Sequence, residues 1–414
     1  MKPWRYGLGM LALTIPSEAF GTFLSYFYLD RLGLPVAAFA FWRTLYALWD
    51  AVNDPLFGYL SDRTRTRLGR RKPWMLVSLP FWALLFFAVY TPPVGLREAG
   101  LLFAYFALVT FLYEGFGSIL WTNYSALLPE LYKSLRDRAQ ASAAKLAFQV
   151  GGLLIGIGLA PWVYATYGFS TMALAFAALG GGLFLFFLLG LKEDPQVQNL
   201  PPPPLFPSLL AAWQNAAFRV FLLGSILYTF ARSLLQTGMP FYAKYSLNLP
   251  EATTTYLFAS VFLMAFPGAF LWERLARRWG GRRAWGYALL LMGLFSLLLL
   301  LPQSLPQAVL VGVLVGLAFA GAQVSGDLVL AAAIDQDPGR REGLYYGVTG
   351  FLTRLSLALM GLSFLLLFWL FGYQSGENPG PNPGLAFRFY MGVLPAFLLF
   401  LAHLAARRFP LEVK

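Results

Sequence analysis

Two aspartates one helical turn apart stand inside an apolar stretch early in the chain. Asp50 and Asp54 are four residues apart, so their carboxylates share one face if the stretch is helical, and Asn53 lies between them. Carboxylates are costly inside a membrane unless they line a cavity, pair with a base or bind a cation. Because hard cations prefer oxygen ligands, the spacing predicts a cation site made by both carboxylates and the Asn53 amide oxygen. The alternative is that the aspartates pair with a nearby arginine, such as Arg43.

The composition around this feature is that of a polytopic membrane protein. Of the 414 residues, 58% are hydrophobic and 12% are charged, whereas soluble domains carry about 25% charged residues. The net charge of +12 comes from arginines clustered in short loops between apolar runs, which indicates topogenic charge and no nucleic-acid partner. With no cysteine, one histidine and no Gly-x4-Gly-Lys-Ser/Thr loop, we expect no metal cluster, no ATP-driven pumping and no cofactor beyond a coupling ion.

The apolar runs predict an all-α fold with twelve transmembrane helices in two six-helix bundles. The runs cover roughly 6–29, 36–60, 73–92, 99–128, 139–165, 170–191, 216–243, 252–273, 283–301, 306–334, 343–371 and 386–406. Four consecutive prolines interrupt helix formation in the segment 192–215. We therefore expect bundles at 1–191 and 216–414 joined by this segment as a linker.

The positive charges predict the orientation of the chain. Lysines and arginines concentrate at both termini and in the loops after the second, fourth, eighth and tenth spans, whereas the opposite side has scattered positives such as Arg31 and Arg97. By the positive-inside rule, both termini and the linker are cytoplasmic. The first apolar run has no cleavage region and is interpreted as a retained span of a multi-pass protein of the plasma (inner) membrane.

The two halves resemble each other in the loop after their second span. The related stretches are Gly58-x3-Asp62-Arg63…Gly69-Arg70-Arg71 and Gly268…Glu273-Arg274…Gly280-Gly281-Arg282-Arg283. This is the pattern of a duplicated six-helix unit. Asp50 and Asp54 have no counterpart in the second half, so duplication does not explain them.

Other polar residues within the spans are candidates for binding a substrate. Glu18 and Glu114 can bind substrate or carry a proton, and the alternative is that they pack between helices or stay neutral in an apolar setting. A basic counterpart is formed by Arg232 with Gln236 and by Arg354. Such residues pair with an acid or with an anionic substrate group, and a salt-bridge network between the halves is the competing interpretation. The same two interpretations apply to Gln323 and Asp327 in the tenth span.

A further set of charges is expected to couple or gate the movement. Lys145 lies about two turns into the fifth span and points to a cavity, unless it snorkels to the membrane edge. The cytoplasmic charges predicted to act as a gate, rather than as ordinary solvated loops, are Asp62, Arg63, Arg138, Asp335, Arg341 and Glu342. His403 is interpreted as a packing or interfacial residue rather than a proton relay.

Three stretches resemble one known family. The most specific is Trp49-Asp50-Ala-Val-Asn53-Asp54-Pro55-x2-Gly58, followed by Lys72-Pro73-Trp74. It resembles the signature of the glycoside–pentoside–hexuronide:cation symporters (melibiose permease-like) of the major facilitator superfamily. Two further stretches are similar to the family: Tyr124-Ser-Ala126-Leu-Leu-Pro129-Glu130 with Arg138, and Asp335-x-Asp337…Arg341-Glu342-Gly343-Leu-Tyr345-Tyr346-Gly347.

The resemblance implies alternating access and a coupling cation bound by Asp50, Asn53 and Asp54. It puts Arg354 at a lysine of the family's eleventh span and Lys145 near an arginine of the fifth. The places of the family's two sugar-binding acids hold Thr14 and Trp121, so Glu18 and Glu114, one or two turns away, are candidates to replace them. The candidate substrate-binding residues are Glu18, Glu114, Trp121, Arg232, Gln236, Gln323 and Arg354.

These observations together predict a Na+- or H+-coupled symporter of a small solute, most simply a sugar or glycoside. We expect a monomer surrounded by membrane lipid. The alternatives are a sodium-dependent lysolipid or amphiphile transporter, which animal relatives of the family exemplify, and a non-transporting receptor with the same fold. An enzyme is not expected, because no nucleophile–base or metal constellation is visible.

Overall fold

A computed structural model describes residues 1–96, 98–132, 134–193, 213–336 and 342–410, and the regular structure within these ranges is helical. The first half contains α1 (Pro3–Ser25), α2 (Val36–Arg63), α3 (Lys72–Val89), α4 (Ala99–Leu131), α5 (Leu135–Leu153) and α6 (Phe169–Leu189). A π-helical turn, Leu154–Leu159, extends α5 into a short helix, Ala160–Tyr167. The second half contains α7 (Ala216–Phe241), α8 (Thr254–Trp279), α9 (Gly281–Leu297), α10 (Leu305–Asp335), α11 (Glu342–Phe371) and α12 (Pro383–Arg407).

The helices lie where the apolar runs predict them, within a few residues at most ends. Ten helices in the described ranges are long and apolar enough to cross a membrane. The two remaining long helices are α2 and α11. Charged residues in the middle of α2, among them Asp50 and Asp54, lower its hydropathy, and the apolar part of α11 is the shorter segment Leu359–Phe371. The chain is therefore an all-α multi-pass membrane protein.

The chain divides into two compact units. The first comprises Met1–Trp42 and Leu48–Pro203, and the second comprises Arg43–Ala47 and Pro204–Lys414. Most of the predicted linker, 192–215, lies outside the described residues.

In the first unit, α1 packs against α5 and α6, and α3 packs against α4 and α6. The α1–α5 contact is close because glycines remove side-chain bulk: a Cβ at Gly152 would lie 2.6 Å from Thr14, and one at Gly156 would lie 2.5 Å from the carbonyl oxygen of Ile15. Thr14 is buried there and donates its hydroxyl to the Met10 carbonyl at 2.7 Å. Thr14 therefore belongs to the helix contact.

In the second unit, α10 packs against α8 and α9, and α12 packs against α7 and α9. Glycines again bring two of these helices together. A Cβ added at Gly316 of α10 would collide with the carbonyl oxygen of Val261 on α8. The backbones of α8 and α10 are therefore in direct contact at this point, as in other membrane helix pairs with small residues at the interface.

The two halves share a turn that follows their first helix. In each, a π-helical turn, Tyr26–Arg31 or Tyr242–Ser246, leads into Leu-Gly-Leu-Pro (32–35) or Leu-Asn-Leu-Pro (247–250). The first leucine donates its N–H to the carbonyl five residues back at 3.1 Å, and the second donates to the carbonyl six residues back at 2.9 Å, in both halves. Gly33 and Asn248 have positive φ, +70° and +53°, which this turn requires and which glycine and asparagine tolerate best. The match supports the duplication inferred from the loops.

A second shared feature ties the third helix of each half to the sixth. Lys72, the first residue of α3, donates its Nζ to the carbonyl of Leu191 just after α6 at 2.9 Å. Arg282, in the first turn of α9, donates to the carbonyl of Arg407 at the end of α12 at 2.6 Å. The Arg407 carbonyl is one of those that a helix end leaves without an intrahelical partner, and Leu191 lies two residues beyond the end of α6.

The close contact between α8 and α10 predicts that Gly316→Ala lowers stability. The added methyl group must push the helices apart or strain the backbone, which costs about 1–3 kcal/mol. We expect a lower thermal unfolding midpoint of the detergent-purified protein. The matched control is Gly115→Ala on α4, where a Cβ would meet nothing within 4 Å. Equal midpoints for the two variants would contradict the close approach of the helices.

Candidate functional site

The predicted cation site lies on α2. This helix continues from Val36 to Arg63, so Asp50, Asn53 and Asp54 occupy two successive turns, as the i,i+4 spacing of the aspartates requires. Asn53 is fully buried, and Asp50 is half-buried. The Asn53 amide nitrogen donates to the Asp50 carboxylate at 3.3 Å. The side chain of Asp54 lies outside the described part of the chain.

The Asn53 amide also connects α2 to α4. Its oxygen accepts a hydrogen bond from the Ser118 hydroxyl at 3.0 Å, so the buried amide is satisfied on both sides. A second bond joins the same helices nearer the other end of α2, where Trp42 donates its indole N–H to Thr110 at 2.8 Å. In this arrangement the amide nitrogen faces Asp50 and the amide oxygen faces Ser118, whereas the sequence predicts that the oxygen serves a cation.

One face of α4 connects α2 with α1. Glu114, Ser118 and Trp121 are spaced by four and three residues, which places them along one side of the helix. Ser118 contacts α2, while Trp121 donates its indole N–H to the hydroxyl of Ser17 on α1 at 3.2 Å. Glu18 follows Ser17 in the chain and, like Glu114 and Trp121, is half-buried. The structure thus places three predicted substrate residues on the neighbouring helices α1 and α4.

Aromatic packing fixes α1, α3 and α4 around these residues. Tyr113, next to Glu114, lies between Phe20 of α1 and Trp82 of α3, with ring centroids 4.5 and 5.9 Å away. Gly117 leaves room for this arrangement, because a Cβ there would lie 3.2 Å from the Trp82 nitrogen. Glu18 and Glu114 therefore lie on helices that are packed closely against each other and against α3.

The charges of the loop between α2 and α3 form a buried network with the end of α4. The Glu130 carboxylate at the end of α4 accepts from Arg70 at 2.6 Å and from Arg71 at 2.8 Å. Asp62 at the end of α2 accepts from Arg71 at 2.9 Å and lies 3.5 Å from Arg70. Arg70 and Arg71 are 8% and 5% exposed, so these pairs are shielded from water, unlike ordinary surface pairs. The exposed Arg63 is not part of these pairs.

Glu193, which the sequence interpretation omitted, completes this network from the segment after α6. Its carboxylate accepts backbone N–H groups of Arg70 at 2.8 Å, Arg71 at 3.1 Å and Lys72 at 2.6 Å. These donors lie at the N-terminus of α3, where N–H groups lack helical partners and the helix dipole favours an anion. Gly69, with φ +111°, leaves the space that the carboxylate occupies.

The remaining gate candidates of the first half are more exposed. Lys145 is half-buried on α5, ten residues after the start of that helix at Leu135. Arg138 is exposed and donates to the carbonyl of Tyr132, just before the helix, at 2.7 Å. Ser134 caps the same helix by accepting the N–H of Asp137 at 3.1 Å. Arg138 therefore holds the loop between α4 and α5.

The second half carries its own polar cluster on α7 and α10. Tyr228 donates its hydroxyl to the Gln323 side-chain oxygen at 3.0 Å. One turn from these residues lie Arg232 on α7 and Asp327 on α10, both near enough for their charges to act on the Tyr228 hydroxyl. Gln236 is one turn beyond Arg232. The predicted residues Arg232, Gln236 and Gln323 thus occupy two neighbouring helices.

The start of α7 is held against α10 and α11 by a residue that the sequence did not single out. Asn215 caps α7 by accepting the N–H of Phe218 at 3.1 Å, and its amide nitrogen donates to the Ala333 carbonyl at 2.8 Å and the Tyr345 hydroxyl at 3.3 Å. Asp335 is exposed at the end of α10. The gate candidate Arg341 and the side chains of Glu342 and Arg354 lie outside the described residues.

Of the two interpretations of the single histidine, packing or interfacial, the structure favours packing. His403 is buried in α12, and its Nδ1 lies 2.7 Å from the carbonyl oxygen of Gly286 on α9. Within the described residues, no group of three His, Cys, Asp or Glu side chains could hold a metal ion.

Comparisons with known proteins show the family of the chain. The family model described as MFS/sugar transport protein matches residues 5–413. The uncharacterized symporter YnaJ of Bacillus subtilis is 25% identical over 99% of this chain and 91% of its own length. The isoprimeverose transporter of Lactiplantibacillus pentosus is 24% identical over 91% and 82%. The sodium-dependent lysophosphatidylcholine symporter 1 of Gallus gallus is 22% identical over 98% and 86%.

Coverage is smaller for the uncharacterized symporter sll1374 of Synechocystis, where 31% identity extends over 37% of this chain and 29% of that relative.

Among solved structures, a D-xylose-proton symporter matches with a TM-score of 0.70 and 17% identity, over 100% of this chain and 98% of that one. The fold is therefore that of the major facilitator transporters, and the protein is a membrane transporter rather than an enzyme.

The position of Glu193 at the start of α3 predicts a stability loss for Glu193→Ala. Removing the carboxylate leaves helix N–H groups unpaired and removes a favourable charge–dipole interaction, together about 1–2 kcal/mol. We expect a lower apparent unfolding midpoint, with Glu193→Gln falling between this variant and the unmodified protein. The control is Glu273→Ala, whose pair with Arg277 is exposed and contributes less than about 1 kcal/mol. An unchanged midpoint for Glu193→Ala would rule out the proposed cap.

Proposed function

Because the chain belongs to the MFS/sugar transport protein family, we propose that it is a secondary active symporter that couples Na+ or H+ to the transport of a small solute. The observation that carries the proposal is the polar face of α2, where Asp50 and Asp54 are one turn apart and the buried Asn53 connects Asp50 to Ser118 on α4. Carboxylates at such a position in a membrane helix favour a cation site. The symporters among its relatives support a coupling ion.

In this proposal the cation binds beside Asp50 and Asp54 and takes the Asn53 amide oxygen as a ligand. The amide must then turn, because its nitrogen faces Asp50 in the arrangement described above. Ser118 permits the turn, since a hydroxyl donates to an amide oxygen and equally accepts from an amide nitrogen. Cation binding is thereby communicated to α4. The ion shifts the equilibrium between outward- and inward-open states by its different affinity for each.

We propose that the substrate is bound by the half-buried residues of α1 and α4 and by the cluster of the second half. The assigned residues are Glu18, Glu114, Trp121, Arg232, Gln236, Gln323 and Arg354. A sugar or glycoside suits this set, because carboxylates and amides bind hydroxyl groups and an indole packs on a sugar ring. The isoprimeverose transporter among the relatives supports this class.

A sodium-dependent lysolipid or amphiphile transporter is the second candidate. It is favoured by the similarity to the sodium-dependent lysophosphatidylcholine symporter, which extends over nearly the whole chain. A thermal-shift screen of sugars and lysolipids, each with and without Na+, separates the two candidates, since a ligand of the native state raises the apparent stability. A shift with lysolipids alone would exclude the sugar assignment.

The proposed transport cycle uses the two halves, 1–191 and 216–414, as moving bundles joined by the linker 192–215. Both termini are assigned to the cytoplasm on the distribution of positive charge. We further propose that the protein is a monomer in the plasma (inner) membrane. The residues assigned to coupling or to the cytoplasmic gate are Lys145, Asp62, Arg63, Arg138, Asp335, Arg341 and Glu342. Asp62 acts within the buried network of Arg70, Arg71 and Glu130.

Asp54→Asn is expected to abolish cation-driven accumulation of substrate in proteoliposomes. The amide keeps the shape of the side chain but removes the charge that holds the cation, so accumulation against a gradient falls by at least about tenfold, the factor equivalent to 1.4 kcal/mol. Substrate exchange without a gradient serves as the control for folding. Asp54→Asn protein that still accumulates substrate in a sodium- or proton-dependent way would disprove the cation site.

Ser118→Ala is expected to weaken the apparent cation affinity about tenfold. In the cation-bound orientation the Asn53 amide nitrogen loses its Ser118 acceptor, whereas in the cation-free orientation the nitrogen keeps its bond to Asp50 and only the amide oxygen loses Ser118. Because a buried N–H without a partner costs more than an under-satisfied carbonyl oxygen, the loss of about 1–3 kcal/mol falls mainly on the bound state. The measurement is the cation concentration that gives half-maximal transport at saturating substrate. Ser296→Ala is the control, because Ser296 is equally buried but only donates to Met292 within its own helix at 2.7 Å. An equal change in both variants would contradict a specific role for Ser118.

A further inference from the structure

The cytoplasmic-loop region of the second half presents an exposed basic surface. Its members come from the end of α8, the start of α9 and the end of α12. We define the basic patch as the exposed residues Arg274, Arg277, Arg278, Arg283, Arg407 and Arg408. The hydrogen bond from Arg282 to the Arg407 carbonyl at 2.6 Å holds the α9 and α12 portions together.

Little of this charge is neutralised by the protein. Glu273 is the one acidic residue between 270 and 283, and it pairs with Arg277 in an exposed i,i+4 contact at 2.6 Å. Within the part of the chain that the structure describes, no carboxylate forms a salt bridge with Arg274, Arg278 or Arg283. A group of like charges held together on the end of a helix pair favours an anionic partner.

Two aromatic side chains adjoin the patch at the boundary of the membrane-spanning helices. Trp279 ends α8, Tyr287 lies in the second turn of α9, and their rings pack edge to face at 5.6 Å. They are 44% and 48% exposed. Exposed tryptophan and tyrosine at helix ends are typical of the lipid headgroup level.

The equivalent loop of the first half shows that this exposure is not imposed by the repeated motif. There, Arg70 and Arg71 are buried against Asp62 and Glu130. In the second half, Arg282 is half-buried and Arg283 is exposed. The first copy thus places its two motif arginines against acidic side chains, whereas the second copy leaves Arg283 at the surface.

We propose that the basic patch binds the headgroups of anionic phospholipids of the surrounding leaflet, a site that goes beyond the proposed transport function. Guanidinium groups form paired hydrogen bonds to phosphate oxygens. Trp279 and Tyr287 lie at the depth where the glycerol and headgroup regions meet the protein. A soluble protein partner is disfavoured, because the patch is at the ends of membrane-spanning helices with the aromatic pair beside it.

The test uses the full-length protein in phosphatidylcholine micelles, titrated with phosphatidylglycerol. Bound lipid is counted by native mass spectrometry, and the unfolding midpoint is recorded in parallel. In the triple variant Arg274→Gln, Arg278→Gln and Arg283→Gln, each lost arginine is expected to weaken the binding about fivefold, so that the apparent affinity falls on the order of 100-fold. High salt weakens the binding to the unmodified protein.

Two control variants distinguish the patch from general attraction. Arg65→Gln with Arg67→Gln removes exposed arginines from the first-half loop, where Arg65 is bonded to the carbonyls of Asp62 and Thr64, and is expected to change the affinity less than threefold. Replacing the three patch arginines by lysine keeps the topogenic charge and is expected to retain most of the binding.

Three results would overturn the proposal. The first is an equal loss in the first-half control and the patch variant, which would indicate general electrostatic attraction. The second is an unchanged affinity for phosphatidylglycerol in the triple glutamine variant. The third is the same stabilisation by inorganic phosphate as by phosphatidylglycerol, which would indicate a simple anion site rather than a lipid site.

Discussion

The buried amide of Asn53 is the interaction on which the first-half site depends. Water is not available to hydrogen-bond a polar group that is buried inside a membrane bundle, so each donor and acceptor needs a protein partner or a ligand. Asn53 finds Asp50 on its own helix and Ser118 on α4. Trp121, one turn from Ser118, then bonds to Ser17 on α1. Three helices thereby meet through side chains that also border the candidate cation and substrate residues.

Duplication supplies a common frame, and departures from it carry the specific chemistry. Both halves have the π-helical turn followed by Leu-x-Leu-Pro, and in both a basic residue at the start of the third helix bonds to the end of the sixth. The first-half loop closes around two acidic side chains, Asp62 and Glu130, whereas Arg282 is half-buried and Arg283 is exposed in the described part of the second half. The paired aspartates of α2 are a further departure. The repeated parts position helices, and the unrepeated parts are where we assign function.

The sequence predicts the helices well because apolar runs of spanning length are a local property. The spacing of Asp50 and Asp54 is equally local. Ser118 and Glu193 could not be selected this way, because their partners Asn53 and Arg70 are 65 and 123 residues distant in the chain. Neither serine nor a glutamate near a span end is unusual by itself. The shared turn can be found in the sequence alone, because Leu-x-Leu-Pro occurs after the first helix of each half, at 32–35 and 247–250. The Trp121–Ser17 hydrogen bond could not be predicted from the sequence, because it forms only when α1 lies next to α4.

Coupling in the proposed symporter depends on the ability of the Ser118 hydroxyl both to donate and to accept a hydrogen bond. In the proposed symporter, a cation attracts the oxygen of Asn53, and the amide can turn toward it only if its nitrogen gains an acceptor elsewhere. A residue that could only donate would leave a buried group unpaired in one of the two states, at about 1–3 kcal/mol. A hydroxyl serves both orientations, so the α2–α4 bond persists while its direction reverses. The cation can then change the interaction between these helices without breaking their contact, which keeps the difference between the two states within the range that an ion gradient can reverse.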